Sequence, residues 1–335
     1  MINYADIIGN QEDWASFVTN VEMEDAPFMD WLPTGPKPVN VMKNYQAELY
    51  RDPVENSHVD GTPVTGLLSA GDSRGNLKAL VGYFTKGAAV KTLHQEVSNI
   101  AGIRDELAHE IEKCTFELSL DMEAQFLEDD DHREDNGVQG YKTRGVGSWV
   151  SSSAQALYPV PASFLPPAAS CITTATGSIT ENALIDVFQS IGTTVKGKRG
   201  LTAFCAPTAK RVFNNMPLFT PGSTLVGGSP TGASGVVYNK GDVNTVGRVA
   251  ERYVTDFGVV ELRISWRNVA FSASAIERNY TTYFLHRDMW EFCWNKKPQW
   301  MRKAYQGGSH EAFTEAVAML LCKNPKGEGK WQPTS

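Results

Sequence analysis

The stretch HQEVSNIAGIRDELAHEIEKCTFELSLDMEAQFL, residues 94–127, decides the architecture. Apolar or small residues fall at Val97, Ile100, Ile103, Leu107, Ile111, Cys114, Leu118 and Met122, always three or four apart. Glu96, Arg104, Asp105, Glu106, Glu110, Glu112, Lys113, Glu117 and Asp121 take the other sides. That spacing is one face of a helix. A helix over 94–127 is expected to be roughly 50 Å long at about 1.5 Å per residue, enough to span a whole domain.

Upstream of it, residues 5–17 have helical spacing at Ile8, Trp14 and Phe17. The pattern soon gives way to Asp25-Ala26-Pro27-Phe28 and Pro33-Thr34-Gly35-Pro36-Lys37-Pro38. Residues 1–38 therefore read as an arm and not as a core element. Strand character follows over 39–51, then a polar loop over 52–75 containing Gly and Pro, then strand character again over 76–92. Connections longer than about 12–15 residues are uncommon inside compact domains, so this pattern predicts a projecting hairpin.

Downstream, the helix stops in Glu128-Asp129-Asp130-Asp131-His132-Arg133-Glu134-Asp135-Asn136-Gly137. Consecutive carboxylates suit a hard cation. The alternating ligands, central Gly and terminal Glu of a Ca²⁺ loop are missing, so a solvated linker is the better reading. Residues 151–170 are irregular. Ser178 and Glu181 have capping-box spacing before a helix to about residue 191, followed by a strand over 201–205 and a helix over 207–215. Residues 217–247 are dominated by Gly, Ser, Thr and Pro and read as a flexible insertion in a second α/β lobe. Strands are expected over 248–255, 259–266, 281–286, 290–294 and 312–323, and no internal repeat is present.

The 335 residues are 41% hydrophobic and 21% charged, the profile of a folded protein with room for a sizeable core. Lys plus Arg number 31 against 38 Asp plus Glu, a formal charge of −7. No net field draws such a chain to nucleic acid or anionic lipid, which argues against sequence reading by tight phosphate docking. The longest apolar run, residues 316–322, is far short of the roughly 20 residues of a membrane helix. The first residues carry Asp6, Glu12 and Asp13, unlike an export signal. Cys114, Cys171, Cys205, Cys293 and Cys322 are odd in number and scattered, as in a reducing compartment. The sequon at Asn279 is read as accidental.

Candidate chemistry fails on context. Gly192-Thr193-Thr194-Val195-Lys196-Gly197-Lys198 matches a phosphate loop until Arg199, where a Mg²⁺-binding hydroxyl is required, and it follows a helix instead of a strand. Cys205 sits in an apolar strand and reads as a buried, inert thiol. No Cys or His pair has zinc spacing, and no metal or cofactor is expected. His286 near Asp288 reads as a polar residue at a strand edge and not as an oriented base. Trp290 to Trp300 interleave with Lys296 and Lys297, and Arg302 and Lys303 follow; these suit base stacking, yet core packing beside a basic turn explains them equally. With every constellation failing, an enzyme is not expected.

The order of arm, long hairpin, long helix, α/β lobe and strand-rich return resembles the major capsid proteins of tailed bacteriophages, in particular the SU10-type capsid family. The motifs that carry this are Asp25-Ala26-Pro27-Phe28-Met29-Asp30-Trp31-Leu32, Arg74-Gly75-Asn76, the strand leading to Lys91-Thr92, and Phe116-Glu117-Leu118-Ser119-Leu120-Asp121-Met122-Glu123. Further on, Ala206-Pro207-Thr208-Ala209-Lys210, Tyr253-Val254-Thr255-Asp256-Phe257-Gly258 and Asn324-Pro325-Lys326-Gly327-Glu328-Gly329 fit the same family. Only the Gly-rich stretch 217–247 departs from its pattern.

The resemblance implies an α+β, HK97-like capsid fold. Residues 1–38 would be the arm, 39–93 the extended loop, 94–177 the spine helix and peripheral domain, 178–247 the axial domain, and 248–335 the β-rich return with the last strand. It implies self-assembly into hexameric and pentameric capsomers of an icosahedral head enclosing DNA, found in the virion and built in the host cytoplasm. Contacts with portal, separate scaffold and cement proteins are implied, with only non-specific contact to packaged DNA and none to membrane. Glu48, Arg51, Asp52, Arg74, Lys78 and Lys86 are the expected inter-subunit contacts. The lysine–asparagine cross-link of some relatives needs a hairpin Lys; Lys43, Lys78 and Lys86 are available, but no partner Asn is assigned. The alternatives are an encapsulin-like compartment of the same fold, or an α/β enzyme using the 178–247 lobe with Cys205 or His286.

Overall fold

In the computed structural model, residues 26–55, 57–63, 74–96, 105–175, 179–197, 200–214, 252–272, 274–305 and 307–334 are described. Residues 1–25 of the expected arm, residues 64–73 of the hairpin connection, residues 97–104 of the expected helix, Ser178, Lys198, Arg199 and the Gly-rich stretch 217–247 lie outside them. The elements follow as α1 (Pro27–Trp31), β1 (Met42–Glu48), β2 (Arg74–Leu80), β3 (Gly82–Lys91), α2 (Thr92–Glu96), α3 (Glu106–Phe126), α4 (Val146–Trp149), β4 (Cys171–Ala175) and α5 (Glu181–Val195). After them come β5 (Leu201–Cys205), α6 (Pro207–Asn214), β6 (Arg252–Thr255), β7 (Gly258–Ile264), α7 (Ala275–Tyr280), β8 (Thr282–Leu285), β9 (Trp290–Arg302), β10 (Ser309–Cys322) and β11 (Gly329–Thr334).

The chain divides into two compact units. One comprises Phe84–Leu120 and Pro298–Ala316. Within it β3 alternates buried and exposed positions, as a strand with one covered face must. Ala88 and Val90 pack with Ala312 and with Leu107 and Cys114 of α3, and the Trp300 indole donates to Thr115 Oγ1 at 3.0 Å.

The spine helix is shorter than its spacing predicts. Asp105 is not helical, and its carboxylate accepts from the Ala108 N–H and from the Gln95 side chain, both at 3.0 Å. An aspartate that satisfies an orphan N–H of the first turn fixes where a helix begins. α3 is thus a helix of 21 residues, about 30 Å long at about 1.5 Å per residue.

The other unit comprises Ala26–Tyr83, Asp121–Lys297 and Val317–Ser335. Its centre is a six-stranded sheet in the order β4-β11-β8-β5-β7-β6, with β11 parallel to β4, β5 parallel to β7 and the other pairs antiparallel. Every residue of β5 is buried, the mark of an interior strand covered on both faces. Leu184, Val187 and Phe188 of α5 and Phe213 of α6 close over it with Phe284 and Trp331. The cap of α5 is Thr180, whose hydroxyl accepts from the Ala183 N–H at 3.3 Å, in place of the expected Ser178.

The segment following residue 26 is core and not arm. Phe28 and Trp31 stack at 5.9 Å, both meet Phe204 edge-on, and the Trp31 indole donates to Thr202 Oγ1 at 3.1 Å. Two large aromatic rings gain too much from burial to be left on a surface arm.

The acidic run is also not a solvated linker. Glu128 accepts from the Phe271 N–H at 3.0 Å, Asp129 pairs with Lys330 at 3.1 Å, Asp130 with Lys142, and Asp131 with the fully buried Arg144 at 2.7 Å. Arg144 also donates to the carbonyls of Leu157 and Tyr158 and lies over the Trp149 ring. His132 stacks on Tyr158, and burial, with Arg144 nearby, pushes its imidazole down to about 4, so it is neutral near pH 7.

Candidate functional site

β1 and β2 form a separate antiparallel pair, in register from Met42 opposite Leu80 to Glu48 opposite Arg74. The expected single strand over 76–92 is broken at Val81, where the chain leaves β1 and enters a second sheet through β3. Burial falls along the pair. Leu77, Ala79 and Leu80 are buried near its base, whereas Arg74 at the far end is exposed.

The hairpin does not project free of its own chain. Phe164 lies against Gly75, and the Lys78 ammonium sits 4.8 Å over the Tyr158 ring. The Tyr158 hydroxyl donates to Glu134 at 2.6 Å. At the base, Lys43 donates to Glu291 at 2.6 Å, and Lys323 lies 2.9 Å from the other oxygen of the same carboxylate. Burial pushes that carboxyl up, but the hydrogen bonds from Lys43 and Lys323 outweigh it and hold Glu291 down at about 2.

The connection beyond β1 is different. Among its described residues, 50–55 and 57–63 are all exposed. Tyr50 is 97% accessible, Val54 81% and Val59 74%, and Val39 before the hairpin is fully open. Local order comes from a turn in which Thr62 donates to the Val59 carbonyl, with Gly61 at φ +83° supplying a left-handed position that a side chain would strain.

The six expected contact residues are spread over this feature and beyond it. Glu48 and Arg74 pair across the far end of the hairpin at 3.4 Å, each about half exposed. Arg51 is exposed on the connection, and the neighbouring Asp52 carboxylate bonds Lys196. Lys78 is the residue over Tyr158, and Lys86 on β3 lies 3.5 Å from Glu117 of α3. Of the lysines considered for a cross-link, all three thus have partners on their own chain.

The residues considered for catalysis are not gathered into a site. Cys205 is buried, and desolvation pushes its thiol up to about 12. His286 is buried against Glu328, with Nδ1 to Oε1 at 3.6 Å, while Asp288 is exposed. His286 is therefore an interior residue and not a polar group at a strand edge. Residues 192–195 form the last turn of α5, and Lys196 takes a left-handed conformation, so the backbone there forms no phosphate cradle. Trp290 is buried and Trp294 meets Phe292 edge-on at 4.7 Å, so these rings are used for packing. Among the described residues no group of His, Cys, Asp or Glu is arranged to hold a metal ion, and no helix is long and apolar enough to cross a membrane.

The family model described as SU10 major capsid protein matches residues 1–333. No curated protein sequence matches the chain. Among solved structures, the capsid asymmetric unit of cyanophage Pam1 is 12% identical with a TM-score of 0.59, over 99% of this chain and 98% of that one. The mature capsid of bacteriophage PhiM1 is 10% identical with a TM-score of 0.61, over 100% and 95%. The capsid of an empty GTA particle is 10% identical with a TM-score of 0.62, over the whole of both chains. At these identities the likeness is one of fold, and the fold is the HK97-like capsid fold. The matches favour neither a protein compartment nor an α/β enzyme.

Proposed function

The chain belongs to the SU10 major capsid protein family and is a structural subunit of a phage head, and from that premise we propose that residues 49–63 with the far end of the hairpin are where one copy grips the next. The observation that supports this is the exposure of Tyr50, Val54 and Val59 on a segment with no core of its own among the described residues. A buried Val contributes about 1.5–3 kcal/mol, which such a segment realises only on a neighbour. Glu48, Arg51, Asp52 and Arg74 frame it with both signs of charge, suited to fixing register against a second copy. Lys78 acts from within the hairpin, where Tyr158 holds β2, and Lys86 is a further contact on β3 beside Glu117.

In this reading heterologous contacts close into hexameric and pentameric capsomers, and capsomers join into the shell. Residues 39–93 serve as the extended loop, 94–177 as the peripheral domain, 178–247 as the axial domain and 248–335 as the β-rich return. Portal, scaffold and cement proteins are the further partners. The net charge of −7 keeps contact with packaged DNA weak and non-specific.

The test is the triple variant Tyr50→Asp, Val54→Asp, Val59→Asp, followed by circular dichroism, sedimentation and electron microscopy. Unchanged secondary structure with loss of closed particles is expected. Particles in wild-type yield from the triple variant would remove the proposal.

A further inference from the structure

The base of the hairpin holds an arrangement that assembly leaves unused. Lys43 of β1 and Cys293 of β9 both donate to one oxygen, Oε1 of Glu291, at 2.6 and 3.1 Å. That shared acceptor brings the Lys43 nitrogen to 3.4 Å from the Cys293 sulfur. Lys323 holds the other carboxylate oxygen at 2.9 Å, so Glu291 cannot turn away. The backbone over Glu291 is equally fixed: Gly35 donates to the Phe292 carbonyl at 2.7 Å, and a Cβ at position 35 would fall 1.9 Å from Glu291 Oε1. The thiol is buried, while the Lys43 side chain keeps 22% of its surface open, a route by which its ammonium proton reaches water.

We propose that Lys43 and Cys293 are a site of oxidative modification, in which dioxygen joins the two side chains through a single bridging oxygen, Cys–S–O–NH–Lys. The S–H bond and one N–H bond of the neutral amine break, and S–O and O–N bonds form. The two hydrogens leave with the second oxygen atom as water. Sulfur and nitrogen each give up two electrons, and dioxygen takes the four. Buried thiols are ordinarily inert because the thiolate is inaccessible. Here the amine lies against the sulfur, so when dioxygen adds to sulfur as Cys–S–O–OH the nitrogen takes the sulfur-bound oxygen while the outer oxygen leaves as water, before sulfur climbs to the sulfinic state.

Burial, with the hydrogen bond to Glu291, pushes the Cys293 thiol up to about 11. For Lys43, burial lowers the amine, but the hydrogen bonds and charges of Glu291 and Cys293 together outweigh it and raise the amine above its ordinary value. Bridging is consequently slow near neutrality and quickens as pH rises, with Lys43, Cys293, Glu291 and Lys323 the charged or titratable groups facing the site. The product is a staple from the hairpin strand β1 to β9. Its detection uses only this chain's peptides and does not depend on whether the chain assembles.

The experiment exposes the full-length protein to air at pH 7 and pH 9, with a parallel sample kept in dithiothreitol, and digests all three without reductant for mass spectrometry. A peptide joining residues 43 and 293 is expected, heavier than the sum of its parts by about 14 Da for one oxygen gained and two hydrogens lost. It should be more abundant at pH 9, absent under reductant, and absent from Lys43→Arg, which keeps the ion pair to Glu291, and from Cys293→Ser. Separate, unmodified peptides from aerated wild-type protein overturn the proposal. So does a joined peptide lighter than the sum by about 2 Da, which is a direct S–N bond.

Discussion

Residues 26–32 and residues 49–63 lie close in sequence and both carry large apolar side chains, yet the chain treats them oppositely. Phe28 and Trp31 are 0% and 3% exposed, against 97% and 81% for Tyr50 and Val54. The first segment has everything a docked segment needs. Phe204 meets both rings, Thr202 takes the indole N–H, and Arg287 donates to the Trp31 carbonyl. The buried Glu123 carboxylate takes the N–H groups of Phe28 and Met29 at 3.2 and 3.4 Å. The second segment's contacts include a local turn and the hydrogen bond that Lys196 donates to the Asp52 carboxylate. Apolar content therefore does not by itself say what a segment is for. Whether the same chain also supplies partners for its backbone decides if it stabilises the subunit or waits for another copy.

The sharpest way to break this contrast is to truncate one ring from each side. In separated subunits, Trp31→Ala should lower unfolding free energy in urea by about 3–5 kcal/mol, as for a large buried aromatic. Tyr50→Ala should stay within about 0.5 kcal/mol, as for a surface change. Comparable losses from the two would mean that residues 49–63 are packed within the subunit.

A second test lies inside the closed segment and has the opposite sign. Burial pushes Glu123 up to about 7 from an ordinary value of 4.5, with the Met29 and Phe28 N–H groups, Arg267 and Ser265 acting against it. The raised value means the folded state favours the protonated carboxyl. This contribution to stability is full below about pH 4.5, declines as pH rises, and is gone above about pH 7. Glu123→Gln keeps an oxygen for the two N–H groups and turns an amide toward Ser265, with no charge to bury. It should match wild type near pH 4 and exceed it by about 3 kcal/mol at pH 8, from 1.36 kcal/mol per unit. Parallel pH–stability curves for the two proteins would show that Glu123 does not titrate in this range.

Much of the closed half could be read from sequence because its signals are local. Leu201–Cys205 is a continuous apolar run and Pro207 opens a helix, and both elements occur within a residue of where they are expected. The failures share one physical cause, which is that a distant partner decides the outcome. The acidic run reads as solvated in sequence because Lys330, Lys142, Arg144 and the Phe271 amide come from elsewhere in the chain. The break at Val81 reflects a change of sheet, which alternation cannot register, since β2 and β3 both look like strand. In the sequence Asp105 is one more polar position on the helix, and its role as a cap depends on the Ala108 amide it meets. Of the contact residues, Glu48 and Arg74 could be placed on facing strands from the hairpin pattern, but Lys78 over Tyr158 and Lys86 beside Glu117 could not.

The smallest expected effect belongs to the open end, at the Glu48–Arg74 pair. The two groups sit 3.4 Å apart and are 53% and 54% exposed, so water and salt screen most of their attraction. A double-mutant cycle with Glu48→Gln and Arg74→Gln in separated subunits should give a coupling below about 0.5 kcal/mol, vanishing near 1 M salt. The same cycle measured on shell disassembly should give more than about 1 kcal/mol, because a neighbour that covers the pair removes the water that weakens it. Equal couplings in the two settings would mean that nothing covers the far end of the hairpin. The grip would then rest on Tyr50, Val54 and Val59 alone, and Glu48 and Arg74 would leave the contact set.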